Sequence, residues 1–319
     1  MSCWYDAQSI SIEVGVTDDI QKRIRQAAKD SRLPNMRDPR HLGYVPPAAG
    51  WACARFVGYF ELGTHEEEYE GKKRDREKVD LVFELSGPNH EPIKAADGTL
   101  IPIRITAQET LDLTYGSSFH ELFNAMNYAG SATHMAELVG AAFFVEIFHR
   151  RSKDGKRVYA TLRSGGYQVQ PPVRLDEKSG LLVPVTIESA ITAFRMFVWN
   201  MVDIGDWHSI YIPGKYPECK DEKTGEVVSP ERSKNVIQEK IMSAKNWKTH
   251  PLAVAGPGGS PNPPTGAEMQ QEVVDMKQLE FTHTHALVRW LAELNAKRRP
   301  SDVKPRKRRG KGGQSPAAD

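Results

Sequence analysis

Four cations fall within five residues in the stretch "YEGKKRDRE": Lys72, Lys73, Arg74 and Arg76, with Tyr69 just ahead of them. A second group lies in "HRRSKDGKRVY", where Arg150, Arg151, Lys153, Lys156 and Arg157 precede Tyr159. Lys and Arg side chains hold phosphate oxygens, and tyrosine faces stack on bases. A groove that combines the two binds single-stranded nucleic acid without reading its sequence, with each stacked base contributing about 1–3 kcal/mol. Arg55, Tyr59, Arg163 and Tyr167 lie in neighbouring strand-like segments and extend the set. Glu66, Glu67, Glu68 and Glu70 share the first stretch and repel phosphate, so its C-terminal half, Lys72 to Arg76, is the part expected to bind. Charge runs are also ordinary solvated surface, and tyrosines ordinary sheet packing.

Other chemistries find no support in the residues. There is no GxGxxG, Walker A, HExxH or GxSxG motif, and no paired acidic motif of the kind that holds magnesium. Cys3, Cys53 and Cys219 are far apart and form no CxxC, so neither a disulfide framework nor a zinc ribbon is indicated. His283 and His285 are two apart, a spacing that splays side chains on a helix and does not chelate. The expectation is a non-enzyme without metal or cofactor.

The elements that must position these residues follow from periodicity. In "ACARFVGYFEL", Ala54, Phe56, Gly58, Phe60 and Leu62 share one face, and Arg55, Val57, Tyr59 and Glu61 the other. In "KVDLVFEL", Val79, Leu81, Phe83 and Leu85 share a face. Both read as half-buried strands, and Gly58 suggests a bulge or sharp bend. The charged "THEEEYEGKKRDRE" between them reads as a long loop. A third strand follows in "LIPIRITAQE". Then comes a helix, "SSFHELFNAMN", capped by Ser117 or Ser118, with Phe119, Leu122, Phe123 and Met126 on its buried face. "LVGAAFFVEIFHR" and "VYATLRSGGYQV" read as strands four and five.

Three strands, a helix and two strands fit the oligonucleotide/oligosaccharide-binding (OB) architecture, a five-stranded barrel. A generic antiparallel α+β sheet fits them too. In an OB barrel, loop one–two and loop four–five frame the nucleic-acid face, and these are the two basic stretches. The fold class expected is mainly β with helical additions, with an OB core and a C-terminal helical extension.

The expected organisation has six parts. Residues 1–45 form an N-terminal arm with a short helix, "TDDIQKRIRQAAKD", and residues 46–172 the core. Residues 173–250 are an extension, where "TIESAITAFRMFVWNM" reads as helix or strand and "SPERSKNVIQEKIMSAKNW" as an amphipathic helix. Residues 251–266 are a Pro/Gly linker, 267–297 one or two helices, and 298–319 a basic disordered tail. Residues 297–311 hold nine Lys or Arg against one Asp, including Arg306, Lys307, Arg308 and Arg309. The rest of the chain is mildly acidic, so this tail is a further candidate contact to nucleic acid.

The residues also carry a resemblance. The run "ELG", "YEGKK", "VDLVFEL", then "SSFHELFNAMN", "ELVGAAFFVEIFH" and "RVYATLRSGGYQVQPP", resembles OB-fold single-stranded DNA-binding proteins of tailed bacteriophages. "MFVWNMVDIGDWHSIYIPGKY" and "SKNVIQEKIMSAKNW" are similar to the extension many of them share, so the likeness spans roughly residues 1–250. It implies coating of single-stranded DNA in phage replication, recombination or repair, inside an infected bacterium, with phage or host replication and recombination proteins as partners. One departure is the C-terminus: many replicative relatives end in an acidic partner-recruiting tail, whereas this chain ends "KPRKRRGKGGQSPAAD".

No apolar run approaches the roughly 20 residues that span a bilayer, and no N-terminal pattern reads as a secretory signal. A cytoplasmic protein with no membrane partner is expected. Edge strands leave room for homo-oligomers. The alternative reading is a phage structural or assembly protein whose basic tail contacts DNA.

Overall fold

Two strands of unusual length organise the molecule, because the alternation of their side chains continues well past the apolar segments that nucleate them. The computed structural model describes residues 22–23, 25–26, 45–95, 97–155, 157–201, 203–220, 225, 227–254 and 266–297, save the side chains of Tyr69, Val228 and 266–274. The chain divides into two units, residues 1–45 with 219–228, and residues 46–218 with 229–319. Of the first unit, Lys22, Arg23, Arg25 and Gln26 are helical and Cys219–Lys220 is a short strand. The remainder of the expected arm, apart from Val45, lies outside the described residues, as do residues 255–265 of the expected linker and the expected basic tail.

In the second unit, β1 (Gly50–Tyr69), β2 (Lys72–Ser86), β3 (Ile103–Thr110), α1 (Ser118–Met126), β4 (Ala142–Arg151) and β5 (Val158–Thr161) follow one another. Short strands β6 (Val169–Gln170) and β7 (Arg195–Phe197) come next, then helices α2 (Ile204–Ser209), α3 (Val236–Met242) and α4 (Gly266–Lys297). The class is α+β, mainly β. The main sheet runs β3–β2–β1–β4–β5, with β6 added to β4 and β7 parallel to β1. The free edge of β1 is shared: β4 takes Gly50–Arg55 and β7 takes Gly58–Phe60. Among the described residues no backbone ladder joins β3 to β5, so the sheet curls without a closing pair of strands.

Two bulges in β1 decide which side chains reach which core. Register slips between Phe56 and Gly58, and again between Glu61 and Gly63. An extra residue flips the alternation that follows it. Ala54, Phe56 and Tyr59 therefore pack in one cluster, with Val79, Leu81, Phe83, Ile105, Phe143 and Val145. Phe60 and Leu62 pack on the opposite face with Phe197, Trp207, Ile241 and Leu252. The expected single face from Ala54 to Leu62 is thus split, with the bend where Gly58 suggested it. The helix α1 lays Phe119, Leu122 and Met126 on the first cluster, and Ser117 Oγ caps it by accepting from His120 N at 3.2 Å.

The second face of the sheet is covered by the extension, and buried carboxylates fix it there. Glu84 accepts from the amides of Ile191 and Thr192 at 2.7 Å each, and Glu61 from that of Trp199 at 2.7 Å. Asp80 takes the Lys240 ammonium of α3 at 2.6 Å. Of "TIESAITAFRMFVWNM", read as helix or strand, only Arg195–Phe197 is a strand and the rest has no regular structure, and α4 is one continuous helix.

Candidate nucleic-acid interface

The charged stretch is not a loop. Beyond the second bulge β1 and β2 pair without interruption from Gly63 and Lys78 out to Tyr69 and Lys72, so the expected loop one–two is a two-stranded ribbon closed by Glu70 and Gly71. Both turn residues have positive φ, 52° and 73°, the pattern of a type I′ hairpin that matches strand twist. Opposite charges face each other across the ladder: Glu67 is in register with Arg74, and Glu68 with Lys73.

The pleat then sorts the charges by face. Lys72, Arg74, Arg76 and Lys78 alternate along β2 and share one face with His65 and Glu67. Lys73, Asp75 and Glu77 share the other with Glu66 and Glu68. The ion pairs respect this division. Lys78 Nζ lies 2.9 Å from Glu67, and Lys73 Nζ 2.7 Å from Glu66. Lys245, just beyond α3, docks on the acidic face at 3.1 Å from Glu66 and 2.5 Å from Asp75. The hydrogen bonds from Lys73 and then Lys245 hold the Glu66 carboxyl below its usual range. Lys72, Arg74 and Arg76 form no ion pair among the described residues, and they stand about 7 Å apart along the strand.

The second basic group crowns the β4–β5 hairpin. Arg150 pairs with Tyr159 and Arg151 with Val158, and the turn Ser152–Arg157 is tied by Ser152 N donating to Arg157 O at 2.8 Å. Arg150, Arg151, Lys153, Arg157 and Tyr159 are exposed, while Lys156 lies outside the described residues. The two hairpins meet through consecutive residues of β3. Lys78 Nζ donates to Thr110 Oγ1 at 3.2 Å; Glu109 accepts from Arg163 at 3.0 Å and from Tyr167 Oη at 2.6 Å. Arg150 in turn donates to the Arg163 carbonyl at 2.6 Å. These side chains bridge the seam that no β3–β5 ladder closes, and a basic hairpin stands on either side of it.

Several candidates are placed elsewhere than expected. Arg55 is buried, with its guanidinium donating to the carbonyls of Gly140 and Ile187 at 2.8 and 3.0 Å and lying 3.3 Å from Glu280. It fastens α4 and the extension from within the fold. Tyr59 is wholly buried because the first bulge turns it into the core; its hydroxyl donates to Glu61 at 2.9 Å. Burial, with the Glu61 charge adding, raises its pKa. Tyr167 is half-buried and Arg163 is committed to Glu109, so both are seam residues first. Of the paired cations, Lys73 faces away from Lys72 and Arg74. The Tyr69 side chain and Arg306 to Arg309 lie outside the described residues.

The exposed loop from Leu111 to Ser117 had no place in the sequence reading. Tyr115 is 92% exposed and Leu113 74% exposed. The sequence signal is slight: a tyrosine before a glycine, ahead of a helix cap in "LTYGSS". A cleft of about 400 Å³ is lined mostly by apolar side chains, Met196, Val198, Met201 and Leu279 among them, with His134 and Glu137, and by no Lys or Arg among the described residues. Among the described residues no His, Cys, Asp or Glu cluster could hold a metal ion, and no helix is long and apolar enough to cross a membrane. Comparison with family models, curated proteins and solved structures gave no match.

Proposed function

We propose that the protein is a non-catalytic single-stranded DNA-binding protein that coats the strand without reading its sequence. The observation that carries this reading is the sorting of the ribbon: Lys72, Arg74 and Arg76, which form no ion pair among the described residues, stand on one face with Glu67 as its one strand carboxylate, while Glu66, Glu68, Asp75 and Glu77 stand on the other. A surface that is merely solvated has no reason to separate its charges so. A face with Lys72, Arg74 and Arg76 in a row offers one cation after another to successive phosphates. The exposed Arg151, Lys153 and Arg157 across the seam extend the positive surface, and Tyr159 adds an accessible ring.

The strand order, with α1 between β3 and β4, supports an OB-type core left open at one seam. In that architecture the two basic hairpins are the loops that frame the ligand. The resemblance of residues 50–172 to phage single-stranded DNA-binding proteins supports a role in phage DNA replication, recombination or repair, in the cytoplasm of an infected bacterium. Phage or host replication proteins are then the expected partners, and the basic tail adds affinity.

An electrophoretic shift with oligo-dT and a matched duplex tests the reading. Preference for the single strand is expected, with log affinity falling by about 0.7 per phosphate contact for each unit of log salt. For about five contacts, affinity drops roughly a hundredfold between 50 and 200 mM salt. Equal affinity for the duplex overturns the reading.

A further inference from the structure

We infer that Tyr115 is a base-stacking platform of the proposed single-strand site, an inference that rests on the binding reading above. Of the rings expected for this role, Tyr59 and Tyr167 face the core or the seam, Tyr159 is exposed on the second hairpin, and the Tyr69 side chain lies outside the described residues. Tyr115 is the most exposed of the large apolar and aromatic side chains described. Single exposed rings are common on protein surfaces; what distinguishes this one is how and where it is held.

The ring sits at the apex of a tight turn. Ser117 N donates to Thr114 O at 2.9 Å, and Gly116 has φ +81°, as the third position of a type II turn requires. Asp112 Oδ1 accepts from Thr114 N at 2.9 Å, and Ser117 Oγ donates to Asp112 O at 2.5 Å. A loop pinned at so many points presents its apex side chain at little entropic cost to a ligand. On one side the Tyr115 ring is flanked by His120 of α1, centroid to centroid 5.9 Å, which leaves the rest of it open.

The loop springs from the base of the basic ribbon. Leu111 N donates to Glu77 O at 2.9 Å, between Arg76 and Lys78 on β2. Asp112 is held below its usual pKa range first by Thr114, with the Arg76 guanidinium adding to the effect. The loop that carries the ring therefore starts at the root of the row Arg76, Arg74, Lys72. A strand whose phosphates follow that row brings its next base over the loop. Leu113, beside Tyr115 and also exposed, adds apolar surface under the same base. The ligand of this subsite is an unpaired nucleobase, of any identity, since every base has a π-face.

The test uses the full chain and oligo-dT, with binding read by fluorescence anisotropy across a salt series. Tyr115→Ala is expected to lower affinity roughly five- to hundredfold while leaving the salt slope and the melting temperature unchanged. Tyr115→Phe is expected to stay within about twofold of the parent, because the ring and not the hydroxyl stacks. Oligo-dT carrying 5-iodouracil is expected to crosslink to Tyr115 on irradiation. Parental affinity in Tyr115→Ala overturns the inference while leaving the single-strand reading intact. So does a slope change of about 0.7, which marks a lost phosphate contact. Failure of the parent protein to bind oligo-dT at all overturns that reading, and this inference with it.

Discussion

Lys73 Nζ lies 2.7 Å from Glu66 Oε1, across the ribbon and on the face turned away from Lys72 and Arg74. Neighbours in sequence are thus on opposite sides of a two-residue-thick element. A phosphate backbone lying on the basic face meets Lys72, Arg74 and Arg76 and never Lys73. Replacing those three by Ala is expected to reduce the salt slope of oligo-dT binding by about 2. Lys73→Ala is expected to leave the slope unchanged and to shift affinity little, because Glu66 lies on the far face and keeps Lys245 as its partner at 3.1 Å. Equal effects from Lys73→Ala and Lys72→Ala would show that the pleat does not select the contacts.

The root of the ribbon depends on Gly63. It has φ +79°, and a Cβ built there would clash with the Trp199 ring and lie 2.8 Å from the Ala244 Cβ. Gly63→Ala adds backbone strain to overpacking of the second core, a cost of about 2–5 kcal/mol. Gly71, in the turn, has φ +73° but nothing within 4 Å of its missing Cβ. Gly71→Ala should therefore cost only the backbone part, about 1–2 kcal/mol. Urea titration of both variants separates packing from conformation: a similar loss in the two would leave Trp199 without a steric role.

The strands of the core were legible because their apolar alternation is strong, and α1 because Phe119, Leu122 and Met126 keep helical spacing next to a serine cap. The ribbon was not, for two physical reasons. It is polar on both faces, so it has no hydrophobic period to read. Its turn is Glu70–Gly71, whereas the turn pairs that advertise a type I′ hairpin are Asn–Gly and Asp–Gly. Tyr59 was misplaced for a third reason: alternation predicts a face only until a bulge, and Gly58 marked a bend without saying that the residues beyond it change sides. The role of Lys245 was hidden by distance, since 170 positions separate it from Asp75.

Arg55 tests that correction directly. Its guanidinium is enclosed by carbonyls of Gly140, Ile187 and Glu188 and lies 3.3 Å from the buried Glu280 of α4. Arg55→Ala removes one partner of a buried pair and is expected to destabilise the fold by about 3–5 kcal/mol. Replacing both partners by Met removes the orphaned charge as well, so the double variant should lose less than the two single variants summed. Under conditions where Arg55→Ala stays folded, its affinity for oligo-dT should match the parent. A weakened affinity with an altered salt slope would return Arg55 to the binding surface.

The docking of α4 should respond to acid through His283. Its Nε2 lies 3.0 Å from the Val139 carbonyl oxygen, and the ring is partly enclosed between α4 and the sheet. Burial pushes its pKa below the ordinary 6.5, and the positive charge of Arg55 pushes the same way against the opposing hydrogen bond to Val139. The folded state therefore favours the neutral ring more than the unfolded state does. The sign follows: stability is intact above about pH 6.5 and declines as pH falls below it, because the unfolded chain takes up a proton that the fold resists. One such group contributes a slope of at most about 1.4 kcal/mol per pH unit. His283→Gln removes the titration and should flatten the urea-unfolding profile between pH 7.5 and 5.5 relative to the parent. The other histidines are common to both proteins, so the difference between the two profiles isolates this site. Parallel profiles would mean that α4 holds His283 without resisting its protonation.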